Sequence, residues 1–194
     1  MVNAPMPTTE LRTIPVDAAV APRPALAALW RALESVPDPE IPVVSIVELG
    51  IVRGLEWDGG DPATLVVRVT PTYSGCPATE LIAVGIRDTL MAAGVPCVRL
   101  ETQLSPAWTT DWIAPEARVK LRDYGIAPPA VGAPAAARID ISGLRSPRCA
   151  TAVVACPRCG SARTHVLARF GSTACKSQYR CDACLEPFDY FKPH

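Results

Sequence analysis

Two short pairs of cysteines constrain this 194-residue chain more than any other feature: Cys156-Pro-Arg-Cys159 and Cys181-Asp-Ala-Cys184, with 21 residues between them. Each Cys-x-x-Cys pair makes a tight knuckle, and two knuckles at this separation present four thiolates tetrahedrally to one metal ion. A segment of about 45 residues cannot bury enough apolar surface to fold alone, so a bound ion has to supply part of its folding free energy. A structural Zn²⁺ held by Cys156, Cys159, Cys181 and Cys184 is the expectation for residues 150–194. An iron–sulfur cluster competes with it, because four thiolates serve either.

Cys175 is a fifth thiol, six residues before Cys181, in the segment Phe170-Gly-Ser-Thr-Ala-Cys-Lys176. It either replaces a knuckle ligand or is a free buried thiol, and the second is favoured because unbridged cysteine behaves as a small hydrophobe. Cys149, His165 and His194 are read as surface or core residues rather than ligands. From Ala150 onward there are six basic and three acidic residues, a mild excess that suits a protein partner as well as nucleic acid.

The compartment decides how eight cysteines are read. No apolar run reaches the roughly 20 residues of a membrane helix, and the N-terminus lacks a basic region followed by an apolar stretch. A soluble, cytoplasmic, reducing setting follows as the expectation, where clustered cysteines mean metal or redox chemistry more often than disulfides. With 49% hydrophobic residues and a formal net charge of zero, general disorder and whole-surface attraction to polyanions are disfavoured.

Residues 1–24 hold five prolines and no periodicity, which predicts a mobile tail. Leu26, Leu29, Trp30 and Leu33 then recur at helical spacing until Pro37 and Pro39 intervene. Val43–Val52 and Thr64–Thr70 read as neighbouring strands, separated by the turn material Asp58-Gly-Gly-Asp-Pro62. Ala78, Leu81, Ile82, Gly85, Ile86, Thr89, Leu90 and Ala93 form one helical stripe that Gly94 ends. Cys97–Leu104 predicts a third strand, and Pro115 opens a helix that Gly125 stops after Tyr124. The sum is an α/β domain over 25–129, a Pro- and Ala-rich linker over 130–149 and the four-cysteine module over 150–194, with the linker composition implying independently folding parts.

One loop in the α/β part has chemical interest. Thr70-Pro-Thr-Tyr-Ser-Gly-Cys-Pro77 joins a predicted strand to the helical stripe that starts at Ala78, placing Cys76 at about the N-cap and Pro77 at the first helical position. Unpaired N–H groups and the positive end of the helix dipole stabilise a thiolate there, readying it for metal or nucleophilic work. From the loop alone, a buried and inert Cys76 is an equal alternative. Asp38 and Glu40, in Asp38-Pro-Glu-Ile-Pro42, and Glu48, within the predicted first strand, are candidates to converge with Cys76 on a hard or borderline metal. Acidic residues beside prolines also serve as caps and turns.

Asp38-Pro-Glu-Ile-Pro42, Ser45-Ile-Val-Glu-Leu-Gly50, Thr70-Pro-Thr-Tyr-Ser-Gly-Cys-Pro77 and Gly125-Ile-Ala-Pro-Pro129, in this order and spacing, resemble the MIP18 (DUF59) family of iron–sulfur assembly factors. With Cys156-Pro-Arg-Cys-Gly-Ser161, Phe170–Lys176 and Glu186-Pro-Phe-Asp-Tyr-Phe-Lys192 added, the chain is similar to the PaaD-like family of phenylacetyl-CoA epoxidase components. That resemblance implies helices packed on a short mixed sheet, followed by a zinc-ribbon-like module. It also implies an important thiol at Cys76, an acidic motif at Asp38 and Glu40, and transient handling of iron or an iron–sulfur cluster. The implied partners are the di-iron oxygenase that epoxidises the ring of phenylacetyl-CoA and its flavin and iron–sulfur reductase, in aerobic phenylacetate degradation. A role in maturation rather than turnover is implied, while a structural subunit or a nucleic-acid-binding ribbon are the alternatives, and a homodimer is left open.

The residues themselves agree that no oxygenase centre is encoded. A di-iron carboxylate site needs Glu-x-x-His elements, and neither of the two histidines has such a glutamate before it. No GxGxxG follows a strand, so a nicotinamide or flavin site is unsupported too.

Overall fold

The structure is a computed structural model that describes residues 23–60, 63–73, 75–130 and 153–193. The tail expected over 1–24 and the linker expected over 130–149 lie outside the described residues, apart from Arg23, Pro24 and Ala130, as do Cys149 and His194.

The apolar stripe at the start of the α/β part forms helix α1, Leu26–Leu33, with Leu29 and Leu33 fully buried. The next segment departs from the sequence expectation. Val43–Gly50 is not a strand; it is a turn-rich stretch, and the ladder starts only at β1, Val52–Trp57. The reason is local hydrogen bonding. Ser45 Oγ accepts from the Glu48 N–H at 3.1 Å and a Glu48 carboxylate oxygen accepts from the Ser45 N–H at 2.9 Å. This reciprocal capping box starts one helical turn, with the Leu49 N–H bonded to the Ser45 carbonyl at 3.0 Å. Gly50 ends the turn at φ +70°, where an added Cβ would lie 2.7 Å from Trp112 Cβ and 2.9 Å from its carbonyl oxygen. The β-branched residues that suggested a strand instead bury Val44 and Ile46 in the core.

Strand β1 pairs antiparallel with β2, Leu65–Val69, and β2 pairs parallel with β3, Val98–Thr102, giving the order β1-β2-β3. A parallel pair needs a crossover, which helix α2, Ala78–Ala92, provides. Its buried stripe is Ala78, Ile82, Ile86 and Leu90, while Leu81 is exposed. Strand β2 is central, and Val66 is buried along with Leu65, Val67 and Val69, as in a strand covered on both faces. Helix α3, Pro115–Tyr124, has the expected bounds, with Gly125 in the left-handed conformation at φ 100°.

The C-terminal part is a second sheet. Strands β5 (Thr164–Ala168), β6 (Lys176–Cys181) and β7 (Pro187–Phe191) form an antiparallel ribbon, and β4 (Ile126–Ala127) adds to β7 in parallel, giving the order β4-β7-β6-β5. The first part of the chain thus donates a strand to the second sheet. The traffic also runs the other way, because Phe191 and Cys175 belong to the same buried cluster as Leu29, Ile86 and Leu121. The Phe191 ring sits 5.9 Å from that of Trp108, whose indole N–H donates to the Leu49 carbonyl. Linker composition suggested two parts that fold independently; the described residues instead share a core and a sheet.

Candidate metal centre and thiol site

The two knuckles fold alike. Gly160 donates its N–H to the Cys156 carbonyl at 2.9 Å, and Leu185 donates to the Cys181 carbonyl at 3.0 Å. Both residues, four positions after the first cysteine of their pair, have positive φ, +73° for Gly160 and +65° for Leu185. These turns bring the four Sγ atoms of Cys156, Cys159, Cys181 and Cys184 within 4.8 Å of one another. Cys156 and Cys184 sulfurs are 3.8 Å apart and those of Cys159 and Cys181 3.5 Å. A tetrahedron with zinc–sulfur bonds of about 2.3 Å has edges of about 3.8 Å, so the donor set fits that ion.

Electrostatics point the same way. N–H groups of Cys184 and Ala183 aimed at the Cys181 sulfur draw its thiol down to about 6, against the opposing effect of burial. Cys184 is pushed up to about 12: although Glu186 N–H favours its thiolate, burial and the neighbouring Cys181, Cys159 and Cys156 sulfurs disfavour further charge. Four thiolates this close can ionise together only around a cation. Cys175 is not in the set. His165 is exposed and bonded through Nδ1 to Asp182 at 2.8 Å.

The second group surrounds Cys76, where β2 leads into α2. Gly75 turns at φ +82°, and the helix begins one residue later than its sequence suggested, with Pro77 at the N-cap. The Cys76 carbonyl still accepts the first-turn bond from the Thr79 N–H at 3.2 Å, so the half-buried thiol stands at the mouth of the helix. A cavity of about 140 Å³ opens beside it, lined among others by Asp38, Cys76, Thr79, Ile82, Arg87 and Leu100.

Asp38 and Cys76, 38 positions apart in the chain, therefore line one pocket. Asp38 is held by an Asx turn, its Oδ1 accepting from the N–H groups of Glu40 at 2.9 Å and Ile41 at 2.8 Å. Burial pushes its carboxyl up, opposed by those two N–H groups and by the Lys176 charge. Glu48 is committed elsewhere, to the capping box and to Lys120 Nζ at 2.6 Å. Burial pushes Glu48 up, but Lys120 and Ser45 outweigh it and hold the carboxyl below its ordinary value.

Three neighbours were not found in the sequence as members of this site. The Tyr73 hydroxyl is pushed up to about 12, by burial and then by the Cys76 charge. Lys176 is buried beside Asp38 and pairs with Asp189 at 3.2 Å. Cys175 feels the charges of Glu40 and Cys76. Tyr73 lies in the Cys76 loop and could have been singled out; Cys175 and Lys176 are brought in by the packing of the second sheet.

Comparison with known proteins finds two family matches along the chain. Residues 26–96 match the family described as iron–sulfur cluster assembly protein, and residues 143–192 match the PaaD zinc beta ribbon domain. A crystal structure of a domain of unknown function, DUF59, from Bacillus anthracis is 28% identical, covering 49% of this chain and 89% of that one with a TM-score of 0.45. A solution structure from Mycobacterium tuberculosis, titled as a protein associated with Fe–S complex assembly and repair, is 33% identical over 54% of this chain and 92% of that one, with a TM-score of 0.34. A protein of Escherichia coli (strain K12), named as the D component of 1,2-phenylacetyl-CoA epoxidase, is 47% identical over 175 residues, which span 90% of this chain and 96% of that protein. The chain therefore belongs to the PaaD family of 1,2-phenylacetyl-CoA epoxidase components, with an iron–sulfur-assembly domain and a zinc-ribbon module in one polypeptide.

Proposed function

We propose that this protein is a cytoplasmic maturation factor that serves the metal centres of a phenylacetyl-CoA epoxidase system and does not itself turn over substrate. Cys76, with Asp38 lining the same pocket and Glu40 two residues further along the chain, holds iron or an iron–sulfur cluster as transient cargo and passes it to the oxygenase or the reductase. The observation that carries this reading is the pocket shared by Cys76 and Asp38. A thiolate with carboxylates nearby binds iron well enough to accept it and loosely enough to surrender it.

In the C-terminal module, Cys156, Cys159, Cys181 and Cys184 would hold Zn²⁺, which supplies folding free energy there. Around them the ribbon exposes Val153, Phe170 and Leu185, each more than 60% accessible, as apolar anchors for a client protein. The test is to produce the oxygenase and reductase in cells with this protein, with its Cys76→Ser variant, or without it, and to measure iron and acid-labile sulfide in each purified component. Depletion of one component in both deficient backgrounds supports the reading. Full metal loading with Cys76→Ser would remove the role given to the thiol.

A further inference from the structure

We propose that β3 is a self-complementary edge at which two copies of this chain join, antiparallel about Leu100, into one continuous sheet. This goes beyond the maturation reading and does not depend on it.

Strand β3, Val98–Thr102, ends its sheet, because the order is β1-β2-β3. The Leu65 N–H donates to the Cys97 carbonyl and the Gln103 N–H to the Val69 carbonyl, both at 2.8 Å. Backbone groups alternate in direction along a strand. Cys97, Arg99, Glu101 and Gln103 therefore face β2, while the N–H and C=O groups of Val98, Leu100 and Thr102 point out of the sheet. Among the described residues no backbone bond reaches these outward groups. Other edges are interrupted: β1 has an irregularity between Val52 and Gly54, and β5 has one between Val166 and Ala168. Such bulges spoil an edge for pairing, whereas β3 runs in unbroken register.

Charge selects the occupant and the register. The strand reads Val-Arg-Leu-Glu-Thr, with a cation and an anion placed symmetrically about Leu100. When Leu100 faces Leu100 of a second antiparallel copy, Val98 faces Thr102, and each facing pair exchanges both N–H···O=C bonds. In that register Arg99 faces Glu101 of the second copy, in the closely spaced positions where opposite charges attract most. A slip of two residues either way sets Arg99 against Arg99 or Glu101 against Glu101, so the neighbouring registers are rejected. Within one chain Arg99 and Glu101, 54% and 44% exposed, pair with each other at 3.3 Å, a contact weak enough to exchange. Arg68 already links Glu56 to Glu101 across the sheet, and Arg99 of the second copy continues that alternating row.

A five-residue ladder buries less than the roughly 800 Å² per partner of a stable interface, so the pair is a reversible dimer. Leu104, two positions beyond the strand and 63% exposed, extends the apolar contact. Leu100 and Thr102 also line the Cys76 cavity, so in the dimer both cavities border the seam.

The test is sedimentation velocity on the reduced, zinc-loaded protein from micromolar to millimolar concentration, with amide hydrogen exchange at both extremes. Wild type should pass from one chain of 20.6 kDa toward twice that mass. As it does, the amides of Val98, Leu100 and Thr102 should gain protection, while those of Arg99 and Glu101, bonded within the chain, should not. Arg99→Glu and Glu101→Arg each place like charges in both facing pairs and should raise the dissociation constant at least about tenfold. Mixed in equal amounts, the two variants should dimerise again, because every facing pair is then opposite in sign. Should either variant fail to fold, the three wild-type amides decide alone. Wild type that stays a single chain throughout, a dimer whose three amides gain no protection, single variants that dimerise as wild type does, or variants that do not complement on mixing would each overturn the inference.

Discussion

Replacing Phe191 by Ala tests whether the two sheets form one cooperative body. Phe191 is 1% exposed, lies in the core of the α/β part although it ends the last strand of the ribbon, and packs on Trp108. Truncating a buried Phe to Ala costs about 3–5 kcal/mol, transfer and cavity terms together. Against a typical domain stability of about 5–15 kcal/mol this is a large fraction of the total. The assay is urea unfolding of the zinc-loaded protein, followed by tryptophan fluorescence, which includes Trp108, and by far-ultraviolet ellipticity. Both signals should shift together, by a free energy in that range, although the altered residue lies at the end of the C-terminal module. A loss below about 1 kcal/mol, or a transition that moves for the ribbon and not for Trp108, would refute the shared core.

Three further outcomes follow from the geometry. Gly50→Ala combines a positive φ, costing about 1–2 kcal/mol, with an overlap on Trp112 costing about 1–3 kcal/mol, so urea unfolding should show a loss of about 2–5 kcal/mol. Asp38→Asn keeps the acceptor of the Asx turn and discharges a buried carboxylate, so stability at neutral pH should hold or rise, whereas Asp38→Ala should lose about 1–3 kcal/mol by stranding two N–H groups. Lys120→Ala should cost about 0.2–1 kcal/mol at neutral pH, since the lysine is half exposed. Because Glu48 is held below its ordinary value of 4.5, that contribution is present above 4.5 and fades as pH falls through the lowered folded value, so the two proteins should converge in acid.

Elements whose signals are local were legible in the sequence. Pro115 and Gly125 bracket α3, and the stripe ending at Gly94 gave α2 to within a residue. The four knuckle cysteines were found from spacing alone, because a Cys-x-x-Cys turn needs no tertiary information. The first strand was displaced because β-branched Val43, Val44, Ile46 and Val47 carry a strand signal, whereas Ser45 and Glu48 carry a capping-box signal that won. That same box explains why Glu48, a candidate for the Cys76 site, is occupied with Ser45 and Lys120. What sequence could not reach was the junction. A two-residue strand such as β4 has no periodicity, and a Pro- and Ala-rich stretch before the ribbon reads as a separator whatever the parts do afterwards. The company of Cys175 and Lys176 depends on that junction, so it was invisible until the sheets were seen together.

Maturation and structural readings part most clearly in a reconstitution. Oxygenase and reductase purified from cells making Cys76→Ser would be treated anaerobically with Fe²⁺ and sulfide, freed of excess reagent, and assayed for turnover of phenylacetyl-CoA without this protein present. Restored turnover is the predicted result, since only metal was missing. Components that are already complete in metal, yet stay inactive until this protein is added, would contradict the account.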